Sequence, residues 1–481
     1  MKITFVHRSH ESLGLSYLSA KLKADNHQVD LVFDPSLFND DVLHWRDNKK
    51  KYKKLAIRAI NKNPDLIGFS IVTSDYKWAV NIATEIKNRS NCPIIFGGIH
   101  ATASSEEVIE CDPVDIVAIG EAENSISNLT RKWDEYKARG FLEIEGLWFK
   151  MKNNKIIKNP WPSLPDLNSI PFPDMDLFSN TSCTYHRYVI AASRGCNRFC
   201  SYCYNSYLHK MYRKDFKRRR TTESVISELE IAKQKRKIKT VWFLDDNFVE
   251  DEQWTIEFCK KYKERIHIPF FCIIHANELT FKSAEALAKA RCRTVQIGVQ
   301  TINPKLGRRV LHREINLDRI RQACEYLHNV KINIIVDHII GIPGEVKEDY
   351  YYALDFYNEL QPKLIGVFQL TLYPGTDLLK MDCIKNSEFY HEMSKGTIHM
   401  LSRPNINALQ RNFVFIMNIL PLLPKGLINR LIKFYKKTNS PIPFATYISL
   451  IFRIINAFRW RDPITTYHFF RYIRGFFFMK S

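Results

Sequence analysis

Three cysteines stand within eight residues near the middle of this 481-residue chain. Cys196, Cys200 and Cys203 are separated by three and then two residues. Cysteine thiolates are the ligands of iron–sulfur clusters, and a loop of this spacing can wrap one cubane. Because only three ligands are offered, one iron would stay open to a substrate or cofactor. A zinc site or a chance grouping is the alternative, although zinc normally takes four protein ligands and His209 is the only nearby candidate for the fourth.

The elements that must position this loop form a repeating pattern of short apolar runs and helical stretches. Six predicted strands follow one another: Tyr188–Ala192, Thr240–Leu244, Pro269–Ile274, Thr294–Val299, Ile332–Ile340 and Leu364–Leu370. Five predicted helices lie between them: Glu223–Gln234, Gln253–Arg265, Ser283–Arg291, Leu317–Asn329 and Lys347–Leu360. Six β/α units in a row predict a partial barrel, whose chemistry lies at the carboxyl ends of the strands. The cysteine loop follows the first strand, as a barrel enzyme requires.

The first 140 residues show a second α/β pattern. Five apolar runs predict buried parallel strands: Ile3–Val6, Val29–Phe33, Leu66–Ser70, Pro93–Phe96 and Ile116–Ile119. Helical spacing marks three intervening stretches: Leu15–Lys23, Trp78–Lys87 and Ala122–Trp133. This order predicts a doubly wound, Rossmann-like sheet with a ligand site at the strand ends. Between the two α/β regions, residues 141–184 predict a linker that contains a small hairpin, Trp148–Lys150 with Lys155–Ile157, and then a proline-rich extended segment.

Composition limits the class of protein. Apolar residues make up 45% and charged residues 25% of the chain, which is typical of a folded globular protein. The odd number of cysteines, eleven, and the absence of a secretory leader argue against a disulfide framework and favour a cytoplasmic location.

The net charge of +20 is concentrated near the C-terminus. Residues 401–481 hold thirteen Lys or Arg, sixteen aromatic residues and a single acid, Asp462. The apolar stretches Phe413–Leu423 and Ile442–Ile451 are too short to span a bilayer, which needs about 20 residues. Leu427–Tyr435 and Tyr467–Phe478 could lie on the inner face of an anionic membrane, whereas the alternative is a helical cap with a solvated basic face. The lack of a recognisable compact RNA-binding module argues against a nucleic-acid partner.

The cysteine loop resembles the signature of the radical S-adenosylmethionine (SAM) superfamily, with Tyr202 as the aromatic residue before the last cysteine. The resemblance covers about residues 185–380 and continues in the motifs Leu244-Asp245-Asp246-Asn247, Ile297-Gly298-Val299-Gln300 and Ile339-Ile340-Gly341-Ile342-Pro343-Gly344-Glu345. It implies a [4Fe–4S] cluster on the three cysteines and a SAM site formed by Tyr202, Asp245, Asp246, Asn277, Gln300, Ile339 and Gly341. Many relatives have an arginine where this chain has Asn277, so the ribose contact departs from the family there.

The first domain resembles the cobalamin-binding subgroup of that superfamily. The residues that carry this resemblance and the implied cobalamin site are Gly14, Ser70, Gly97, Gly98, His100, Thr102, Gly120 and Glu121. The Asp-x-His-x-x-Gly signature that supplies a histidine beneath cobalt is absent, and His100 is a weak substitute. A nucleotide site, a degenerate fold without ligand and a methylthiotransferase domain are the alternatives; the last would need three further cluster cysteines.

The resemblance implies a domain order and a reaction class. Residues 1–140 would bind cobalamin, 141–184 would link, 185–380 would form the radical SAM core, and 381–481 would form a basic, mainly helical extension. The implied function is a cobalamin-dependent C-methyltransferase that acts on an unactivated carbon of a small molecule, such as a lipid, isoprenoid or tetrapyrrole. Flavodoxin or ferredoxin would donate the electron. A radical SAM oxidase, cyclase or rearrangement enzyme and a membrane-associated sensor with a degenerate barrel are the alternatives, and no acid or base residue can be nominated.

Overall fold

The computed structural model describes residues 1–35, 48–181, 186–213, 216–385 and 407–438, together with Ile442, Ile451, Phe452 and Ile455. The chain forms two compact units. The first contains Met1–Thr184 with the later segments Tyr202–Phe216 and Leu372–Ser402, and the second contains Tyr185–Ser201, Lys217–Thr371 and Arg403–Ser481.

The N-terminal part of the first unit is a seven-stranded sheet with helices on both faces. Its elements are β1 (Lys2–Arg8), α1 (Leu13–Ala24), β2 (Gln28–Asp34), α2 (Asn48–Ile60), β3 (Leu66–Ser70), α3 (Tyr76–Lys87), β4 (Ile94–Gly97), α4 (Ile99–Ala103), α5 (Ser105–Glu110), β5 (Ile116–Ala118), α6 (Glu123–Arg131), α7 (Trp133–Arg139), β6 (Leu147–Lys150) and β7 (Ile156–Lys158). The strand order is β2-β1-β3-β4-β5-β6-β7. The first five strands are parallel, which confirms the predicted doubly wound sheet.

The hairpin that the sequence assigns to the linker is part of this sheet. Strand β6 pairs antiparallel with β5, so that Phe149 lies opposite Ile116. Leu147 and Phe149 are fully buried, because the same alternating pattern that makes the hairpin also presents one apolar face to the core. The pattern of a hairpin does not show which strand it will pair with, and only the tertiary structure decides this.

The second unit contains a six-stranded parallel sheet. The elements along this part of the chain are β8 (Arg187–Ile190), β9 (Ser193–Arg194), α8 (Tyr204–Tyr212), β10 (Arg218–Arg219), α9 (Thr222–Lys235), β11 (Thr240–Phe243), α10 (Glu252–Arg265), β12 (Phe270–Ile274), α11 (Phe281–Lys289), β13 (Cys292–Gln300), α12 (Pro304–Arg309), α13 (Leu317–Asn329), β14 (Asn333–Ile340), α14 (Lys347–Leu360) and β15 (Leu364–Gln369). Of these, α8 belongs to the first unit and the others belong to the second. The order β15-β14-β13-β12-β11-β8 follows the chain, and all pairs are parallel. This confirms the predicted partial barrel.

The described part of the C-terminal region is helical, as predicted. It comprises α15 (Asp382–Lys385), α16 (Ala408–Ile419) and α17 (Lys425–Thr438). Helix α16 buries Phe413 against the rings of His338 and Tyr350, at centroid distances of 5.4 and 5.0 Å. The predicted stretch Tyr467–Phe478, and Ile442–Ile451 except its two end residues, lie outside the described residues. Among the residues that the structure describes, no helix is both long enough and apolar enough to cross a bilayer.

Candidate functional site

The cysteine loop begins at the carboxyl end of β8 and runs to the first turn of α8. Gly195 has φ +85°, a conformation that favours glycine, and it turns the chain into the loop directly before Cys196. The thiols of Cys196, Cys200 and Cys203 are all free of disulfides. Burial raises the pKa of the Cys196 thiol. Within the described ranges, no three His, Cys, Asp or Glu side chains are grouped as ligands for a single metal ion.

An arginine contacts the middle cysteine. The Nη1 of Arg313 donates to Cys200 Sγ at 3.6 Å, and its Nη2 donates to the carbonyl of Gly298. The neighbouring Ser201 donates its backbone N–H to Leu311 O at 2.9 Å and its hydroxyl to Val310 O at 2.6 Å. Hydrogen bonds to the sulfur ligands are one of the means by which a protein tunes an iron–sulfur cluster, and Arg313 is placed to make one. Arg313 lies in none of the sequence motifs, so no local pattern indicates its contact with Cys200.

The two adjacent carboxylates after β11 have different environments. Asp245 is fully buried and accepts from Ser193 Oγ at 2.5 Å and from the Ala192 N–H at 3.0 Å. Burial raises the pKa of its carboxyl, and the two hydrogen bonds oppose that rise. Asp246 is exposed, because successive side chains at the end of an extended strand point to opposite sides. Asp245 therefore anchors the base of the cysteine loop, and Asp246 is the carboxylate accessible to a ligand.

A second polar link joins the cysteine loop to the next strand ends. Glu278 accepts from the side chains of Arg198, in the loop, and of Asn247, after β11. Asn247 also accepts from the His275 N–H at 3.0 Å. Asn277, predicted at the SAM ribose, is half-buried, and its carbonyl accepts from Arg319 Nη2 at 2.9 Å. Glu278 and Arg319 are further residues that the motifs did not reveal.

The remaining SAM candidates lie at the carboxyl ends of β13 and β14. Gln300 has φ +70° beside an irregularity in the pairing of β13 with β14, and it is half-buried. Gly341 has φ +78°, and Glu345 Oε2 accepts from its N–H at 2.6 Å and from the Ile342 N–H at 3.0 Å. Burial raises the pKa of Glu345 to about 7, although these bonds and the Tyr350 hydroxyl oppose the rise. Ile339 is buried, and Tyr202 is half-buried.

In the first unit, the predicted cobalamin residues follow the parallel strands. Gly98 has φ +89°, and a Cβ there would lie 2.8 Å from the backbone N and O of Ile71. Thr102 Oγ1 donates to Gly98 O at 2.9 Å and accepts from the Gly120 N–H at 3.0 Å. Thr102 thus ties together the loops that follow β4 and β5. The close backbone approach at Gly98 suits a site built from main chain at the edge of a sheet.

His100 is fully buried beneath these loops. Its Nδ1 lies 3.2 Å from Thr73 Oγ1, and its ring lies 4.5 Å from the ring of Tyr76. Burial lowers the pKa of His100 to about 4, so that the imidazole is neutral at physiological pH. Its Nε2 has no hydrogen-bond partner among the described residues. Of the other predicted residues, Gly14 is exposed, and Ser70, Gly97 and Glu121 are half-buried.

Helix α8 adds aromatic residues to the same loops of the first unit. The Tyr204 hydroxyl donates to Ile99 O, and the Tyr207 hydroxyl donates to Thr102 O at 3.4 Å. A Cβ at Gly120 would lie 1.9 Å from the Tyr212 hydroxyl oxygen, so glycine is required by this packing as well as by its φ of +69°. The sequence did not indicate this contribution, because nothing in a local motif shows that residues after the third cysteine pack on these loops.

Two family models match the chain. One describes the radical SAM superfamily and matches residues 190–357, and the other describes a B12 binding domain and matches residues 4–130. The chain therefore contains a radical SAM domain with a B12-binding domain ahead of it. The B12-binding match decides among the alternatives for the first domain in favour of cobalamin.

Individual relatives and solved structures agree with this assignment. An uncharacterized methyltransferase of Pyrococcus horikoshii is 27% identical over 376 residues, which cover 76% of this chain and 77% of the relative. Cytidylyl-2-hydroxyethylphosphonate methyltransferase of Streptomyces wedmorensis is 21% identical over 430 residues, 78% of each chain. One similar solved structure is that of the radical SAM methyltransferase TsrM from Kitasatospora setae, with cobalamin and a [4Fe-4S] cluster bound. It matches with a TM-score of 0.62 at 17% sequence identity, over 78% of this chain and 73% of TsrM. That likeness confirms the fold.

Proposed function

We propose that this chain is a cobalamin-dependent radical SAM methyltransferase that methylates an unactivated carbon of a small molecule. The observation that carries the proposal is the order of the two matched domains in one chain, with the cysteine loop at the carboxyl end of the first barrel strand. The similarity to two methyltransferases over about three quarters of the chain supports methyl transfer as the reaction.

The cofactor chemistry needs ligands that the described residues can supply. When bound, a [4Fe–4S] cluster gives the electron that cleaves SAM to methionine and a 5′-deoxyadenosyl radical, and cobalamin carries the methyl group. Cys196, Cys200 and Cys203 would be the cluster ligands. Arg313 would donate to the Cys200 sulfur, and Asp245 would hold the first turn of the loop in place.

The SAM and cobalamin contacts are proposed residue by residue. Tyr202, Asp246, Asn277, Gln300, Ile339 and Gly341 would surround SAM, and Asp245 would act on that site through the loop. Gly14, Ser70, Gly97, Gly98, Thr102, Gly120 and Glu121 would face cobalamin. His100 would support these loops from beneath rather than bind cobalt, because it is fully buried and contacts Thr73 and Tyr76.

The substrate is a small molecule, and TsrM has been solved with tryptophan and a SAM analogue bound. For this chain we favour a lipid-like compound such as an isoprenoid or a tetrapyrrole, on the basis of the aromatic, basic C-terminal region. We place the enzyme in the cytoplasm, in peripheral contact with the inner face of the membrane, with flavodoxin or ferredoxin as electron donor.

The proposal is tested by reconstituting the full chain without oxygen, using iron, sulfide and hydroxocobalamin. A triple variant, Cys196→Ala, Cys200→Ala, Cys203→Ala, is compared with the wild type and with Cys111→Ala, a matched variant that removes a half-buried thiol outside the loop. We expect the wild type and Cys111→Ala to bind both cofactors, and the triple variant to bind cobalamin alone. The readouts are iron and sulfide content, visible absorption and the electron paramagnetic resonance of the reduced cluster with and without SAM.

Each outcome identifies a different error. If the wild type binds no cobalamin, the methyltransferase proposal fails and the first domain has another role. If the triple variant keeps its cluster, the ligand assignment is wrong. With a substrate in hand, equal amounts of 5′-deoxyadenosine and S-adenosylhomocysteine indicate methylation, whereas 5′-deoxyadenosine alone indicates an oxidase, cyclase or rearrangement enzyme.

A further inference from the structure

One face of helix α17 packs against the rest of the protein. Ile428, Ile432 and Tyr435 are almost completely buried. On the same helix Asn429 Oδ1 accepts from Asn358 of α14 at 2.6 Å, and Lys436 forms an ion pair with Asp355 of α14. These contacts fix the rotation of α17 about its axis, and they therefore decide which side chains face outward.

The outward face of α17 carries large apolar side chains between cations. Leu427 is 49% and Phe434 is 65% exposed, which makes Phe434 the most exposed large apolar residue in the described part of the chain. The sequence positions 427, 430, 434 and 437 follow the spacing of three and four residues that places side chains on one stripe of a helix. This stripe reads Leu427, Arg430, Phe434, Lys437, and its two cations are exposed.

Single exposed apolar residues are normal on a protein surface, but further exposed apolar residues occur in the same C-terminal region. Leu423, directly before α17, is also exposed, as are Ile451 and Ile455 further along the C-terminal region. An exposed aromatic ring on the helix surface opposite a fully packed face suggests a binding surface rather than the edge of a core.

The charge of the helix indicates what kind of surface it fits. Residues 425–438 contain five Lys or Arg and no Asp or Glu, and residues 401–481 contain thirteen cations against one acid. Cations beside an apolar stripe are complementary to an anionic bilayer, where apolar side chains enter the acyl boundary and Lys or Arg meet the headgroups. At 14 residues α17 is about 21 Å long and too short to span the bilayer, so it would lie in the plane of the membrane.

We propose that the outer face of α17, formed by Leu427, Arg430, Lys433, Phe434 and Lys437, is a docking surface for an anionic phospholipid bilayer. The inference rests on the peripheral membrane contact proposed above and names the surface that makes it, but it does not depend on methyl transfer, because it concerns only α17 and its charge. Its consequence is that the enzyme would work beside a membrane, where an apolar substrate is concentrated.

Vesicle co-sedimentation of the full chain tests this surface without any turnover. The protein is mixed with vesicles of phosphatidylcholine alone or of phosphatidylcholine with phosphatidylglycerol, at low and high salt. Three variants are compared: Lys433→Gln with Lys437→Gln, Leu427→Ser with Phe434→Ser, and, as matched control, Ile256→Ser, which replaces an exposed apolar residue on the outside of α10. All five positions are exposed, so the variants should fold, and circular dichroism with cobalamin binding checks that they do.

We expect binding to the anionic vesicles only, weakened by salt. The removal of two cations near the surface should weaken binding about thirtyfold, the loss of the two apolar side chains should weaken it about tenfold or more, and Ile256→Ser should leave it unchanged. The proposal is overturned if the wild type stays in the supernatant, if neutral vesicles bind it equally well, or if both α17 variants bind like the wild type. Preferential binding of single-stranded RNA that is lost in the same variants would also overturn it and would make nucleic acid the occupant.

Discussion

The role of Asp245 gives the sharpest test of the site, because the motif and the structure assign it differently. Its position in the motif Leu244-Asp245-Asp246-Asn247 predicts a direct contact with SAM. In the structure the carboxylate is fully buried and bound to Ser193 Oγ and the Ala192 N–H, at the start of the cysteine loop. Replacement by alanine and by asparagine separates these two roles.

The expected magnitudes follow from the two hydrogen bonds. Asp245→Ala leaves two buried donors without acceptors, at a cost of about 1–3 kcal/mol each, so the free energy of unfolding should fall by about 2–6 kcal/mol. Asp245→Asn keeps the shape and an acceptor oxygen, and the Ser193 hydroxyl can rotate to accept from the amide. Because burial raises the pKa of Asp245, a neutral amide also avoids the cost of a buried charge. Its stability should therefore stay within about 1 kcal/mol of the wild type.

The assays are urea unfolding, iron content after gel filtration, and SAM affinity of the reconstituted protein. If Asp245 is an anchor, Asp245→Ala loses stability, cluster and SAM affinity together, and Asp245→Asn keeps all three. Asp246→Ala is the matched control at the exposed neighbour, where SAM affinity should fall while stability and iron content stay. The anchor role is refuted if Asp245→Ala unfolds like the wild type and retains its cluster, or if Asp245→Asn loses only SAM affinity.

Three further predictions concern the supports of the site. Arg313→Gln removes the donor to Cys200 Sγ. The reduction potential of the cluster should become more negative, because a cationic donor stabilises the reduced cluster. A redox titration followed by electron paramagnetic resonance measures the potential, and an unchanged value would contradict the prediction. Glu228→Ala leaves the buried guanidinium of Arg220 without its carboxylate. The free energy of unfolding, measured in urea, should fall by about 3–5 kcal/mol. An unfolding midpoint equal to that of the wild type would show that the two side chains are not strongly coupled. Glu345 has a folded-state pKa raised to about 7 from an ordinary 4.5, so the stability that it contributes is complete below about pH 4.5 and is lost as the pH rises through about 7. Glu345→Gln should remove a pH-dependent difference of about 3 kcal/mol over that interval, and parallel stability curves for the two proteins would refute the assignment.

Much of the fold was determined by local patterns in the sequence. Apolar runs such as Leu66–Ser70 and Thr240–Phe243 form largely buried strands, because parallel strands covered on both faces are apolar throughout. The order of strands and helices then restricts the topology, since β/α/β crossovers are right-handed and consecutive strands of this kind pair. The cysteine spacing predicts the cluster ligands, because three thiolates this close in sequence can converge on one cluster.

Only the tertiary structure decided which side chains support that loop. Arg313 is 113 residues from Cys200, and Glu278 is 80 residues from Arg198, so no local pattern relates the members of either pair. The same holds for the hairpin, whose pairing with β5 depends on a core contact of Phe149, and for Tyr204, whose hydroxyl reaches Ile99. Asp245 and Asp246 are adjacent and chemically identical, yet one is buried and the other exposed, because the direction of a side chain at a strand end depends on the packing around it. The sequence by itself determined which residue types are available for chemistry and the order of the strands and helices. The tertiary structure decided which distant residues form the hydrogen bonds that hold the cysteine loop in position.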